Sequence, residues 1–479
     1  MLHRITVLPQ KLHITAPHGS VLMDILRKAG ILLNAPCGGN GKCGKCRVLI
    51  DGELYLACQT ILDRDMTVYI ADSVGDNEIR THAITTPASQ PVLAFDIGTT
   101  TVAGYLLDRV TGETIAHNSM LNPQCTYGAD VISRIRCTVK EKSTALTALI
   151  RHCLHDMILS LCNAAKIAPE QILLISIVGN PAMQQLFLGI CPDNLTQIPY
   201  RPVLTHANTV KARTYLPLLT NADMHIVPDI SGFVGADTVA CVLSTELDRR
   251  EDLTLLVDIG TNGEMVLGNK HRMVACSTAA GPALEGANIS CGMRGQRGAI
   301  DHVRFEDGAF QCSVIDSTDA VGICGSGLID AVAAALDAGL INSRGRIQNE
   351  NRVIRLTDSI RLTQEDIRQV QQAKGAIAAG IRLMAAHMGV QMRDIRHVLL
   401  AGAFGSYMDP NSACRIGLLP AEIDGKITAV GNAAGDGAKI LALRPELLER
   451  TQAIASRTEH LDLAGNPGFQ RCFAESMRF

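Results

Sequence analysis

No long basic stripe runs through this chain: Lys and Arg number 44 against 47 Asp and Glu, the formal charge is -3 and the pI is near 6.5. Affinity for a phosphate backbone comes from clustered Lys and Arg, so a general nucleic-acid binder is excluded. An apolar signal-peptide core is missing from the N-terminal MLHRITVLPQKLH. The most apolar later stretch, Ile172 to Ile190, is interrupted by Asn180, Pro181, Gln184 and Gln185, which argues against a membrane span. A soluble cytoplasmic protein with no membrane partner is expected. The G-x-x-x-x-G-K-[ST] loop is absent too, which removes the P-loop ATPases.

At 479 residues, 47% of them hydrophobic, the chain can build about three domains with sizeable cores. Sixteen cysteines without a secretion signal point to reduced thiols or a metal site, not to a disulfide scaffold. Twelve are scattered from Cys125 to Cys472, mostly in apolar surroundings, and read as small buried hydrophobes. The other four, Cys37, Cys43, Cys46 and Cys58, form C-x5-C-x2-C-x11-C. Iron needs four thiolates converging on a cluster, and Gly38, Gly39, Gly41 and Gly44 let the backbone wrap it and turn N-H groups toward the sulfurs. Zinc ribbons usually split four cysteines into two C-x2-C pairs, whereas here three share one loop. Gly39, Gly41 and Gly44 also spell G-x-G-x-x-G, but they open no helix, so a dinucleotide fingerprint is rejected. Lys42, Lys45 and Arg47 either guide an acidic redox partner or belong to a solvated loop. Upstream, Ile5 to Leu8 and Leu12 to Thr15 alternate as a hairpin. Ser20 reads as the N-cap of a short helix that presents Val21, Leu22, Ile25, Leu26 and Ala29 and stops at Gly30. With these flanking elements the cysteine loop resembles the 2Fe-2S ferredoxins, a small α+β β-grasp fold, over residues 1–75. The polar stretch 76–91 reads as a linker.

Beyond the linker one pattern occurs twice: LAFDIGTTT, from Leu93 to Thr101, returns as LLVDIGTNG, from Leu255 to Gly263. Each is an apolar run ending in an aspartate, a Gly/Thr turn and a second apolar stretch, hence strand, turn, strand. Such a turn leaves N-H groups and hydroxyls free to hold phosphate, and the carboxylate can hold Mg2+ through water. Two copies a domain length apart suggest two related lobes, 92–247 and 248–479, facing one nucleotide. A strand near Thr114 to His117 continues the first copy. A long amphipathic helix follows, with Leu146, Leu149, Ile150, Cys153, Leu154, Met157, Ile158 and Leu161 on one face. His152 and His155 beside Cys153 read as surface or core-edge histidines, because no further ligand stands at metal spacing. A buried strand, Ile172 to Val178, leads into another helix. Pro228 to Ser244 and Gly431 to Leu443 are rich in small residues and read as two helices able to cross closely as a hinge. GICGSGLIDAVAAAL, from Gly322, is a glycine turn feeding a helix, either a phosphate edge or a helix start tucked against a sheet. Thr363 and Asp366 form a capping box for a helix that stops at Gly389. The strand His397 to Ala401 then enters GAFGSYMDP, where Gly402, Ala403 and Gly405 leave room for a base or ribose.

This order resembles the actin, sugar-kinase and heat-shock-chaperone ATPases, an α/β, two-lobed, ribonuclease-H-like fold. The resemblance implies that Asp96, Gly98, Thr99 and Thr100 form one phosphate motif and Asp258, Gly260, Thr261 and Asn262 the other. It also implies that Gly325, Gly327, Gly402, Ala403 and Gly405 face ATP and that Asp96 and Asp258 organise Mg2+ and water. Which aspartate, if either, orients the attacking water stays open. Joined to a ferredoxin segment, and with NPQCTYGADVISRI, STAAGPALEGANISCGMRGQRGAI, GICGSGLIDA and LLAGAFGSYMDP, nearly the whole chain resembles the reductive activators of corrinoid proteins. Larger members carry a further middle domain where only the short linker stands here, so their pairing need not carry over and a homodimer stays open. The implied partners are a corrinoid protein of a methyltransferase system and an upstream low-potential electron donor. The implied cofactors are a 2Fe-2S cluster on Cys37, Cys43, Cys46 and Cys58, and ATP with Mg2+.

A need for ATP also follows from redox arithmetic. Each ~59 mV of adverse potential costs a one-electron transfer a factor of ten, so a gap of about 300 mV means roughly five decades, or about 7 kcal/mol. Two rival classes remain at this level. A redox-regulated small-molecule kinase on the same fold would yield a phosphorylated product, and a nucleotide-gated iron-sulfur scaffold would work without Cys58.

Overall fold

A computed structural model of the chain describes residues 2–8, 11–29, 31, 33, 35, 39, 41, 46–70, 80–83, 89–128, 130–141, 144–405 and 407–479. Strands β1 (Leu2–Leu8) and β2 (Leu12–Pro17) form the expected hairpin, with Ile5 opposite Ile14. With β3 (Arg47–Ile50), β4 (Glu53–Leu56) and β5 (Met66–Tyr69) they make a five-stranded sheet in the order β2-β1-β5-β3-β4. Helix α1 (Leu22–Lys28) lies on it, because Leu22, Met23, Ile25 and Leu26 share a helical face and bury it against Ile5, Val7, Val48 and Val68. Ser20 does not cap this helix. Val21 holds the N-cap, and the Ser20 carbonyl instead accepts from Leu62 N at 2.8 Å, a pairing that keeps Ser20 one residue outside the cap. The expected stop, Gly30, lies outside the described residues.

The first lobe contains β6 (Arg80–Ala83), β7 (Pro91–Ile97), β8 (Thr101–Asp108), β9 (Thr114–Leu121), β10 (Leu174–Gly179), β11 (Asn208–Lys211) and β12 (Asp223–Ile226), in the order β11-β12-β10-β7-β8-β9-β6. Part of the stretch expected as linker is therefore strand, since β6 pairs antiparallel with β9. Helices α2 (Val131–Glu141), α3 (Ala145–Ala165) and α4 (Pro181–Leu188) cover one face of the sheet. By length and hydropathy α3 is the one helix, among the described residues, that could cross a membrane, yet Ile150, Leu154, Met157 and Leu161 bury their side chains against Leu93, Phe95 and Ile97. Leu149 is only half-buried, and His152 is exposed and pairs with Asp156.

The second lobe follows α5 (Ala236–Thr245). It contains β13 (Thr254–Ile259), β14 (Gly263–Gly268), β15 (Met273–Thr278), a small sheet of β16 (Ala299–Glu306), β17 (Ala309–Val314) and β18 (Gly322–Ile323), then α6 (Gly325–Asp337). A short hairpin of β19 (Val353–Arg355) and β20 (Arg361–Thr363) leads to α7 (Gln364–Met388), which carries the expected Thr363–Asp366 capping box and ends at Gly389 with φ 70°. The chain continues through β21 (His397–Ala401), the helical turn α8 (Gly402–Gly405), α9 (Pro410–Arg415), β22 (Ile427–Gly431), α10 (Ala433–Leu443), α11 (Leu448–Arg457), β23 (Thr458–His460) and α12 (Phe469–Ser476).

The repeat in sequence is a repeat in topology. The second main sheet runs β22-β21-β13-β14-β15-β23, and its first five strands mirror β12-β10-β7-β8-β9. Each set is an antiparallel meander with two parallel strands added beside its first strand. In each the outermost parallel strand is followed by a small-residue helix, α5 or α10. These two helices form a layer shared by both sheets: Val92, Ala94 and Val178 lie on one side and Leu256, Val266 and Ala275 on the other, with Val239, Ala240, Ala438 and Leu441 between. Strand β7 has cover on both faces, and its near-continuous apolar run is the consequence.

The layer depends on close approach. A Cβ at Gly437 would stand 2.3 Å from the Ala240 carbonyl oxygen and 2.6 Å from the Ala240 Cβ. Gly437→Val is expected to cost about 1–3 kcal/mol by overpacking. Its melting temperature should fall while the visible spectrum of the N-terminal cysteine site is unchanged, and an unaltered melt would refute a tight crossing.

Candidate functional site

Two of the four clustered cysteines, Cys46 and Cys58, are described; Cys37 and Cys43 lie outside the described residues. The Cys46 and Cys58 sulfurs are 3.2 Å apart, well beyond a disulfide bond of about 2.05 Å, so no disulfide joins them. The Ala57 N-H donates to the Cys46 carbonyl at 2.9 Å, which ties the two cysteine segments together. Gly39 has φ 97°, and a Cβ there would meet Met23 at 3.0 Å and Cys58 at 3.8 Å, so glycine lets the backbone at this residue approach both. Two adjacent cysteine sulfurs with Gly39 beside them suit an iron-sulfur cluster.

At the other site the two Gly/Thr turns touch. Thr100 Oγ1, from the first lobe, is 2.9 Å from Thr261 Oγ1 of the second. Gly98 N donates to Thr101 O at 3.0 Å and Gly260 N to Asn262 O at 2.9 Å, so both turns are tight. Thr99 is buried, its hydroxyl receiving Asn180 Nδ2 at 3.0 Å and its carbonyl receiving the Arg134 guanidinium. Asp96 and Asp258 end equivalent strands. Asp96 Oδ2 accepts from Asn432 Nδ2 at 2.9 Å, while Asp258 Oδ2 faces the Cys241 thiol at 3.6 Å. Gly402, with φ 88°, lies against the second aspartate, for a Cβ there would be 2.8 Å from Asp258 Oδ1.

Two further carboxylates join them. Asp237 opens α5, and Glu264 stands directly across the β13–β14 pair from Asp258. Burial raises Asp96 and Asp237 to about 7 and Asp258 to about 6, and it pushes Glu264 well above the ordinary range. Repulsion from neighbouring carboxylates adds to each shift, in the case of Asp258 from Glu285, and hydrogen bonds from Asn432 to Asp96 and from Cys241 to Asp258 oppose it. Among the described residues no three acidic, histidine or cysteine side chains converge to hold a bare ion. Such a set fits Mg2+, which keeps several waters and takes one or two carboxylates plus phosphate oxygens.

The comparisons with known proteins agree with this pairing of sites. Residues 252–479 match the family described as the C-terminal domain of RACo, the ASKHA domain, residues 92–250 match the RACo middle region, and residues 5–68 match the 2Fe-2S iron-sulfur cluster binding domain. The corrinoid activation enzyme RamQ of Eubacterium limosum is 31% identical, over 96% of this chain and 96% of its own. The chain belongs to this family of reductive activators. A [Co(II) methylated amine-specific corrinoid protein] reductase of Methanosarcina barkeri is 27% identical over 80% of this chain and 75% of its own. A solved structure described as a reductive activator for corrinoid, iron-sulfur protein superposes with a TM-score of 0.74 at 28% identity, covering 100% of this chain and 98% of that one. The RACo middle region is therefore present, as the first lobe at residues 92–250, which corrects the expectation that only a short linker stands in its place.

In this activator the glycines expected to face ATP beyond the phosphate turns lie in or beside short helical segments. Gly327 is buried at the start of α6, and a Cβ there would stand 2.4 Å from the Ile300 carbonyl, so its missing side chain makes room for β16. Gly325 is buried in the same helical turn. Gly405 packs on Leu400, and GAFG forms a helical turn. The Ala403 side chain lies outside the described residues. Missed by sequence reasoning were Asn432, Asp237, Glu264, Arg134 and Glu285. Glu264 was legible from hairpin register and Asn432 as an N-cap, whereas Arg134 and Glu285 depend on distant segments. A cavity of about 540 Å³ also opens beside α5 and α10, lined by Ser244, Arg250, Asp436 and Lys439 but by neither Asp96 nor Asp258.

The acidic cluster makes a pH prediction. Asp237 has a folded pKa of about 7 against an ordinary 3.8, so the native state retains a proton that the unfolded chain has released between those values. Stability is therefore lost as pH rises through that window, and the full cost stands above pH ~7. Asp237→Asn should melt higher than the parent at pH ~8, by about 2–4 °C per kcal/mol relieved, with the gain shrinking toward pH ~4. An equal gain at both values would show that ionisation is not the cause.

Proposed function

We propose that this chain uses ATP and Mg2+ to drive delivery of one electron, from a 2Fe-2S cluster on Cys37, Cys43, Cys46 and Cys58, to the cobalt(II) corrinoid of a methyltransferase system in the cytoplasm. The electron enters from a separate low-potential donor. A bound cluster supplies the one-electron carrier. Asp96 and Asp258, with Asp237 and Glu264 behind them, orient the hydrated cation, and the Thr99–Thr100 and Thr261–Asn262 turns bind phosphate. Gly402, set against Asp258, borders the rest of the nucleotide.

One observation carries the ATP dependence. Arg27, near the end of α1, lies over the Tyr127 ring at 5.2 Å and donates to the Thr126 carbonyl. Those residues close the turn that begins at Asn122, whose backbone N-H donates to Thr100 O at 2.8 Å and whose Nδ2 donates to Gly98 O at 2.8 Å. Movement of the first phosphate turn is thus passed through one short turn to the redox domain. That continuity supports a two-state coupling, in which nucleotide binding biases the placement of the cysteine loop.

The direct test is anaerobic mixing of reconstituted protein, reductant, ATP and candidate corrinoid proteins while the cobalt(II) spectrum is followed. ATP-dependent loss of that spectrum is expected; its absence with every plausible partner would overturn the reading. Asp258→Ala should abolish the ATP-dependent change while the cluster spectrum survives. Arg27→Ala removes a cation-π contact and a hydrogen bond together worth about 1–3 kcal/mol. It should leave ATP hydrolysis in place but lower electron delivery per ATP by about tenfold, and unchanged coupling would exclude this route.

A further inference from the structure

The two phosphate turns meet at a carboxylate that belongs to neither. Glu285 ends a short 3-10 turn, Pro282–Glu285, closed by Gly286 at φ 78°. Its Oε2 accepts from Thr100 Oγ1 at 3.0 Å and from Thr261 Oγ1 at 3.1 Å. Those hydroxyls come from opposite lobes, so Glu285 stands on the seam between them. Neither aspartate holds that place: Asp96 Oδ2 is engaged by Asn432, and Asp258 is flanked by Cys241 and Gly402. The turn is also fixed from behind. A Cβ at Gly286 would stand 2.3 Å from Met293 O, and α6 packs against the same turn.

Resting on the nucleotide reading above, we propose that Glu285 is the general base for the water that attacks the terminal phosphate of ATP. A nucleotide gripped by both turns brings that phosphate to their seam. The Thr100 and Thr261 hydroxyls then turn from Glu285 to phosphate oxygens, and the carboxylate they release faces the attacking water. The water oxygen bonds to the γ-phosphorus as one of its protons passes to Glu285. The bond from that phosphorus to the bridging oxygen breaks, its electron pair leaving on ADP, and the proton on Glu285 passes to solvent as phosphate departs. Asp96 and Asp258 remain free to orient the cation.

Glu285→Gln keeps the size of the side chain and an acceptor for the two hydroxyls but removes the base. Its kcat for ATP hydrolysis should fall about 10²- to 10⁴-fold. Its affinity for a non-hydrolysable ATP analogue should stay within about threefold, and Glu285→Asp should hydrolyse at least about tenfold faster than Glu285→Gln. Hydrolysis by Glu285→Gln within about threefold of the parent would overturn the assignment, as would equal rates in the Gln and Asp variants. Should the Gln variant fail to bind the analogue, Glu285→Asp decides alone: loss confined to kcat supports a base, and loss confined to affinity overturns it. A parent protein that neither binds nor hydrolyses ATP would instead overturn the nucleotide reading itself.

Discussion

The contact of α10 on α5 governs the ATPase half of the molecule. At Gly437 there is no side chain, and the helix axis can come down onto the Ala240 backbone. Two sheets that each need one face covered are thereby served by a single pair of helices, and burial of that shared apolar surface holds the lobes together. The arrangement has a chemical consequence. The start of α10 places Asn432 on Asp96, and the start of α5 places Asp237 in the same electrostatic field. A shift of one helix past the other therefore alters the surroundings of both strand-end aspartates.

Those aspartates are held at a cost. Four half-buried carboxylates with raised pKa values repel one another, and Asp258 and Glu264 face each other across a strand pair, a position where like charges destabilise. Such a cluster has more to gain from a hydrated cation than from any side chain within reach. Hydrogen bonds from Asn432 and Cys241 offset only part of the repulsion. Arg27 over the Tyr127 ring joins the redox domain to the first lobe through a contact of a different kind.

Much of the architecture was readable because its causes are local. A run of apolar residues closed by Asp-Ile-Gly-Thr specifies strand and turn, and the alternation around Ile5 and Leu12 specifies a hairpin. Thr363 and Asp366 satisfy each other within four residues, so the start of α7 needs no distant partner. Ser20 shows where local logic fails: its backbone pairs with Leu62, and that pairing outweighs a side-chain cap. Gly327 reads equally as a phosphate edge or a helix start tucked against a sheet until β16 is seen to fill the space of its missing side chain.

The sequence by itself determined the duplicated strand-turn-strand units, the small-residue helices and the four-cysteine loop, since periodicity, turn chemistry and ligand spacing act over a few residues. Only the tertiary structure decided that Thr100 and Thr261 meet at Glu285, that Asn432 serves Asp96, and that Arg27 reaches Thr126. These pairs are separated by 99 to 336 positions. No local propensity encodes them; packing of two sheets on one helical layer, and of the redox domain on the first lobe, brings them together.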